Sequence, residues 1–125
     1  MAARAILLLK KLDTLTDAEF YKYMEGTHSD SILKVPYIKE KNITFSSFRV
    51  DKVLSSSIGF PMSEFDGEFN FWCSSMEDLI DLFSDPEWQR IVVDDGANFN
   101  EQQEGRMMIG YDTDLLPDRT GRKLL

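Results

Sequence analysis

Several features that mark metal-binding, disulfide-bonded and nucleotide-binding proteins are scarce or missing in this 125-residue sequence. The one cysteine, Cys73, cannot form an internal disulfide, which is typical of proteins from reducing compartments. There is also only one histidine, whereas a zinc or iron site needs clustered His, Cys and carboxylate ligands. No glycine-rich phosphate loop and no serine nucleophile elbow occur. We therefore expect neither a metal nor a cofactor.

Positive charge and long apolar runs are scarce as well. The chain has 14 Lys and Arg against 22 Asp and Glu, a net charge of −8, and its cations are not clustered. Phosphate binding requires such clusters, so a nucleic-acid partner is not expected. The apolar run Ala5–Leu9 is too short for a membrane span or a signal peptide. We expect a soluble, cytoplasmic protein without a membrane partner.

Aromatic residues, by contrast, are plentiful. They make up 12% of a chain whose hydrophobic content is 42%, which is enough for a core and also for an apolar pocket. The length fits a single domain. We place that domain at residues 1–112, followed by a C-terminal tail at 113–125 that ends in two leucines.

The most informative stretch is a predicted helix that ends at the only histidine. Thr16 and Glu19 have the spacing of a capping box, in which each side chain bonds a backbone N–H at the helix start. Residues with helical spacing then predict an inward-facing stripe. They are Phe20, Tyr23, Met24, Thr27 and His28. His28 therefore lies at the end of a buried helix face.

The remaining patterns predict four strands and a second helix. Strands are expected at Arg4 to Lys11, Ile43 to Leu54, Glu68 to Cys73 and Arg106 to Asp112. The second helix begins at Ser74 or Ser75, restarts at Pro86 and ends at Gly96. Asp94 and Asp95 lie near its end, where negative charge opposes the helix dipole.

The order β-α-β-β-α-β predicts an α+β, ferredoxin-like fold with a four-stranded antiparallel sheet and both helices on one face. If the other face is as apolar as the strands suggest, a second copy would cover it, which predicts a homodimer through the open sheet face. The predicted loop Ser55–Gly67 carries the apolar residues Ile58, Phe60, Met62 and Phe65. That loop would act as a lid or pack on a partner subunit.

These elements resemble the EthD family of dimeric α+β barrel proteins. The resemblance rests on Phe20-x-x-Tyr23-Met24-x-x-x-His28, on Phe71-Trp72, on the Met76–Leu79 helix and on Ser84–Trp88. Family members usually carry an aromatic residue in place of Met24, and Ala-Pro or Gly-Pro in place of Ser29-Asp30. Within the family, the chain is most similar to cofactor-free decarboxylases, dehydratases and cyclases of aromatic polyketide pathways.

The resemblance implies a lyase that acts on an aromatic polyketide intermediate in secondary metabolism, with His28 as acid/base. Imidazole titrates near neutral pH, so a histidine can give or take the proton that enol chemistry requires. Two alternatives stay open. One is a cofactor-free monooxygenase of phenols or anthrones, and the other is a non-catalytic ligand-binding dimer.

Other residues are candidates for the same site. Asp30 or Asp51 would orient the imidazole, although each also fits a solvated carboxylate. Arg49 would hold a substrate carboxylate or form a surface ion pair. Further substrate contacts are expected among residues that fit a core equally well. They are Tyr23, Met24, Trp72, Trp88 and Tyr111.

Overall fold

The computed structural model describes residues 2–116 and confirms the ferredoxin-like α+β fold. The strands are β1 (Ala3–Leu9), β2 (Thr44–Arg49), β3 (Gly67–Cys73) and β4 (Arg106–Tyr111). The α-helices are α1 (Asp17–Tyr23), α2 (Ser29–Leu33), α3 (Pro36–Glu40), α4 (Lys52–Ser57), α5 (Met76–Leu82) and α6 (Asp94–Gly96). Two π-helical segments, Met24–His28 and Trp88–Val93, and a 3₁₀ turn at Gln102–Glu104 complete the structure. All sheet pairings are antiparallel, in the order β2-β3-β1-β4.

One face of the sheet forms the floor of the core. Ala5 pairs with Phe71 and Leu7 with Phe69, so their side chains lie on the same face of the sheet. Ala5, Phe69 and Phe71 are fully buried. Leu79 and Leu82 of α5 are fully buried as well, as the apolar stripe of that helix requires. The site described below lies in this layer between helices and sheet.

The first helix begins as predicted and then widens. Glu19 N–H donates to Thr16 Oγ1 (3.1 Å) and Thr16 N–H donates to Glu19 Oε1 (2.9 Å), which forms the capping box. From Met24 to His28 the helix is π-helical, with i→i+5 hydrogen bonds and more residues per turn. In this wider turn, Met24 and His28, which are four residues apart, share the inward face. Thr27, three residues after Met24, is rotated away from that face and is exposed. The prediction that Thr27 faces the core was wrong for this reason.

The second strand is shorter than predicted. β2 ends at Arg49, and α4 follows where the sequence predicted the end of a strand and the start of a loop. Asp51 begins this helix, because its Oδ1 accepts the N–H of Leu54 at 2.8 Å. An N-cap aspartate thus outweighed the strand propensity of Val53 and its neighbours.

The open face of the sheet is more polar than predicted. Arg4 donates to Asn70 Oδ1 through Nη2 (2.7 Å) and pairs with Asp112 (3.2 Å). Trp72 Nε1 donates to the other oxygen of Asp112 at 2.7 Å. This network buries Asn70 and lies beside exposed apolar side chains, Phe48 and Met108 among them. The open face is therefore mixed in character.

The β2–β3 connection carries several strongly exposed apolar side chains. Val53, Ile58 and Phe60 are each more than 70% exposed. This connection does not fold back as a lid over its own chain. None of the helices within residues 2–116 is long and apolar enough to cross a membrane. The tail beyond Leu116, with its two terminal leucines, lies outside the described residues.

Candidate active site

His28 is buried between the helices and the sheet. The π-helical segment Met24–His28 carries it inward, and only 3% of the residue is exposed. Its ring lies 4.6 Å from the ring centroid of Phe99 and 5.6 Å from that of Phe69. Mid-helix π segments occur frequently at functional sites. The imidazole is thus held on two sides by aromatic rings in an apolar layer.

The polar partner of His28 is Asp95, which lies in the short helix α6. The distance from His28 Nδ1 to Asp95 Oδ2 is 2.8 Å. Tyr23 donates its hydroxyl to the second oxygen, Oδ1, at 2.7 Å. Asn98 Nδ2 lies 3.2 Å from the Tyr23 hydroxyl and 3.4 Å from the same Oδ1. Asp95 reaches this position because α6 follows the second π-helical segment.

Burial and hydrogen bonding together set the charges of the pair. Burial lowers the pKa of His28, and the hydrogen bond and charge of Asp95 only partly oppose this, so the net shift is downward. Burial raises the pKa of Asp95, but the hydrogen bonds from His28 and Tyr23 outweigh it and the pKa is lowered. At neutral pH the pair therefore consists of a neutral imidazole and an ionised carboxylate.

An apolar cavity of about 310 Å³ lies against the imidazole. Most of its wall is hydrophobic, and the polar groups are few. The cavity is lined by Leu7, Leu9, His28, Phe83, Trp88, Val92, Val93, Gly96, Asn100, Gln102, Gly105, Arg106 and Met107. Nδ1 of His28 is engaged by Asp95, and Nε2 bonds none of the described residues. No buried side-chain nitrogen or oxygen is left unpaired within residues 2–116, so the unbonded Nε2 is not fully buried, and His28 is one of the residues that line this cavity.

Comparison with known proteins identifies the family. The model of the EthD domain matches residues 12–103, which include both His28 and Asp95. The chain belongs to the EthD family. None of the curated proteins matches this sequence.

Three solved structures share the fold of this EthD domain. An EthD family protein from Bacillus halodurans C-125 superposes with a TM-score of 0.63 at 19% identity, over 90% of this chain and 100% of that one. A protein of unknown function from Bacteroides fragilis NCTC 9343, described as dimeric and ferredoxin-like, gives 0.59 at 14% identity, over 87% and 94%. A hypothetical Arabidopsis thaliana protein gives 0.59 at 9% identity, over 92% and 91%. At these identities the likeness concerns the fold alone.

The structure brings three of the sequence-predicted residues to the site, two on the cavity wall and one, Tyr23, bonded to Asp95. His28 and Trp88 line the cavity of the EthD domain. Tyr23 was predicted to contact substrate, but its hydroxyl is bonded to Asp95 and it is not among the residues that line the cavity. Met24 is fully buried one turn before the histidine and belongs to the core.

The predicted carboxylates do not partner the imidazole. Asp30 is exposed and has no partner among the described side chains, because residues two apart on a helix point in different directions. Asp51 caps α4 instead. Both predictions of an orienting carboxylate are corrected by Asp95.

Three other predicted contacts lie away from the cavity wall. Arg49 forms a two-pronged ion pair with Glu25 (2.6 and 3.1 Å), which is the surface-pair alternative. Trp72 is on the open face with Asp112. Tyr111 is 57% exposed at the end of the edge strand β4.

One sequence feature marks the position of Asp95, although Asp94 shares it. Its negative charge near a helix end is locally unfavourable, and such local conflicts concentrate at functional sites. Nothing in the spacing identified its partner, however, because 67 residues separate it from His28. Within residues 2–116, no group of three or more His, Cys, Asp and Glu residues could hold a metal ion.

Proposed function

We propose that this EthD domain is a cofactor-independent lyase that acts on an aromatic polyketide intermediate, with His28 as its acid/base. The observation that carries the proposal is the buried imidazole at the cavity wall. Its Nδ1 is held by Asp95 while its Nε2 remains accessible. A buried, positioned base with a pKa below that of free histidine is able to accept a proton at neutral pH.

Two related reactions fit one such group. In decarboxylation of a β-keto acid, neutral Nε2 first takes the proton of the carboxyl group. The bond to the carboxylate then breaks and leaves carbon dioxide and an enolate, and Nε2–H returns the proton to the carbon that lost the carboxylate. In dehydration of a β-hydroxy ketone, neutral Nε2 removes the proton next to the carbonyl and passes it to the departing hydroxyl, which leaves as water. The apolar wall strengthens electrostatic interactions with the enolate in either case.

The cavity favours a compact aromatic substrate with hydroxyl groups. An engineered protein cavity of about 150 Å³ binds benzene, so about 310 Å³ accommodates roughly two fused rings. The side-chain amides of Asn100 and Gln102 donate to backbone carbonyls of Gly96 and Val93. Their own carbonyl oxygens bond none of the described residues, so they are acceptors for phenolic hydroxyls.

The second part of the proposal is that the domain works as a homodimer through the open sheet face. β2 and β4 are edge strands with unpaired backbone groups, which proteins normally cover. Exposed Phe48 and Met108 on that face are apolar surface for a partner. The Bacteroides fragilis protein of similar fold is described as dimeric, which supports a dimer here.

The test is turnover of β-keto acid and β-hydroxy ketone substrates built on fused phenolic rings, followed by mass spectrometry for loss of carbon dioxide or water. We expect His28→Ala to lower turnover by about a hundredfold or more, the usual scale for a lost acid/base, while ligand binding survives. The matched control is Asp30→Ala, an exposed residue two positions along, which should leave turnover unchanged.

Each alternative has its own outcome. Full turnover by His28→Ala would remove the histidine from the mechanism. A rate that falls without oxygen would favour the monooxygenase. Tight binding without turnover of any substrate would favour the ligand-binding dimer.

A further inference from the structure

We propose that Asp95 is the positioning residue of this site, and that Tyr23 and Asn98 fix which hydrogen bond it makes. In this arrangement the imidazole carries its proton on Nδ1 and presents an unprotonated Nε2 to the cavity. The inference rests on the proposed function, because it explains how His28 is held in the form that function needs.

The direction of each hydrogen bond follows from what each group is able to do. An ionised carboxylate only accepts, so at 2.8 Å from Asp95 the Nδ1 atom of His28 must carry the hydrogen. With the proton on Nε2 instead, two acceptors would face each other at that distance. The Tyr23 hydroxyl donates to Oδ1 and accepts from Asn98, so the two oxygens of Asp95 have separate partners. One tautomer of His28 satisfies all four side chains.

Few charged or titratable groups lie close enough to the imidazole to affect which nitrogen carries its proton. Asp95 is the group whose hydrogen bond and charge raise the pKa of His28 against the effect of burial. Tyr23 lies on the far side of that carboxylate, and Arg106 is the other titratable residue that lines the cavity. Phe69 and Phe99 cover the ring from the sheet and from the helix side. The tautomer is therefore set chiefly by one carboxylate.

Replacing Asp95 with its amide should reverse the tautomer. In Asp95→Asn, the Tyr23 hydroxyl still needs an acceptor and takes the amide oxygen. The amide nitrogen then faces Nδ1 and donates to it, which moves the imidazole proton to Nε2. The histidine remains buried and in place, but it can no longer accept a proton from a substrate. We expect turnover to fall by on the order of a hundredfold or more.

The chain has a single histidine, so this is measurable directly. Long-range ¹H–¹⁵N spectra of protein labelled at histidine and carrying no histidine tag show one imidazole. We expect the Nδ1–H tautomer in the unmodified protein and the Nε2–H tautomer in Asp95→Asn. The matched control is Asp94→Asn, an exposed neighbour with the same change of charge, which should keep the Nδ1–H form and full turnover.

A double variant tests the role of Tyr23. In Tyr23→Phe/Asp95→Asn, no tyrosine hydroxyl donates to the amide oxygen of residue 95. The exposed Asn98 is then able to accept a hydrogen bond from the amide nitrogen through its side-chain carbonyl. The amide should turn, and the Nδ1–H tautomer should regain population together with part of the turnover. A merely structural role for Tyr23 would not produce this rescue.

The outcomes separate this inference from the proposed function. An Nε2–H imidazole in the unmodified protein, or Asp95→Asn with the original tautomer and full turnover, would overturn the role of Asp95. Failure of the double variant to shift the tautomer would overturn the role of Tyr23. If His28→Ala keeps full turnover while the spectra show the expected tautomers, the catalytic proposal fails and the hydrogen-bond assignment stands.

Discussion

Phe99 is the residue through which the stability of the core and the position of His28 are most closely joined. Its side chain is fully buried, and its ring contacts Phe20 at 5.4 Å, Tyr23 at 5.2 Å and His28 at 4.6 Å between centroids. Truncating a buried phenylalanine to alanine typically costs about 3–5 kcal/mol of unfolding free energy. Because domains are stable by only about 5–15 kcal/mol, Phe99→Ala should remove a large share of that margin.

Phe99→Leu separates the two contributions. Leucine keeps most of the apolar burial but loses three ring contacts, each of which contributes about 0.5–1.5 kcal/mol beyond its buried area. Since such contacts are not fully additive, we expect a loss of about 2 kcal/mol. The His28 ring would also lose one of its two aromatic supports, so turnover should fall even under conditions where the variant is fully folded.

The assay is urea unfolding followed by fluorescence of the two tryptophans, at one fixed protein concentration so that any dimerisation affects all variants equally. The control is Leu115→Ala, because Leu115 is 91% exposed outside the β2–β3 connection and its truncation should alter the free energy by less than about 0.5 kcal/mol. If Phe99→Leu costs no more than the control, the ring contacts do not stabilise this core.

Three further predictions follow from the charges and the exposed surface. The unfolded chain takes up a proton on His28 at higher pH than the folded one, so the unfolding free energy should fall from about pH 7 to pH 5, less steeply in His28→Gln. Lys52→Met should cost about 1–2 kcal/mol in urea unfolding, because buried Asp66 loses an ion pair of 2.6 Å and keeps its bond from a backbone N–H. Ile58→Ser and Phe60→Ser should weaken dimerisation in sedimentation equilibrium, because both side chains are more than 70% exposed in a single subunit.

Each of these has a control and a contradicting result. If the unfolding free energy changes equally with pH in the unmodified protein and in His28→Gln, groups other than His28 cause the change. The control for Lys52→Met is Arg90→Met, which breaks an exposed ion pair with Glu87 and should change the unfolding free energy by less than about 0.5 kcal/mol. An equal loss in the two variants would show that burial of Asp66 does not matter. Leu115→Ser changes an exposed residue outside the β2–β3 connection and should leave dimerisation unaltered.

The order of elements could be predicted because it depends on local patterns. Side chains of strands repeat every two residues and those of helices every three or four, and that periodicity is visible in a single sequence. The capping box at Thr16 and Glu19 is equally local, and both of its hydrogen bonds are present. Where local signals competed, as at Asp51, the cap began a helix in place of a strand.

The candidate site was only half accessible from the sequence. The position of His28 at an inward-facing helix end could be predicted from its own segment, and the structure buries it there. The choice among Asp30, Asp51 and Asp95 could not, because contact with the imidazole depends on how two distant helical regions cross the sheet. One π-helical segment contains His28, and the other directly precedes the helix that contains Asp95. The wider turns of both segments shift side chains away from the ordinary helical period.

The amino-acid sequence alone therefore determined the strand and helix order, the family resemblance and the burial of one imidazole, since each follows from spacing along a short segment. Tertiary structure alone decided that Asp95 holds this imidazole, that Tyr23 supports the carboxylate, and that the cavity opens beside β4. These are contacts between residues far apart in the chain, and packing of the helices on one sheet face brings them together.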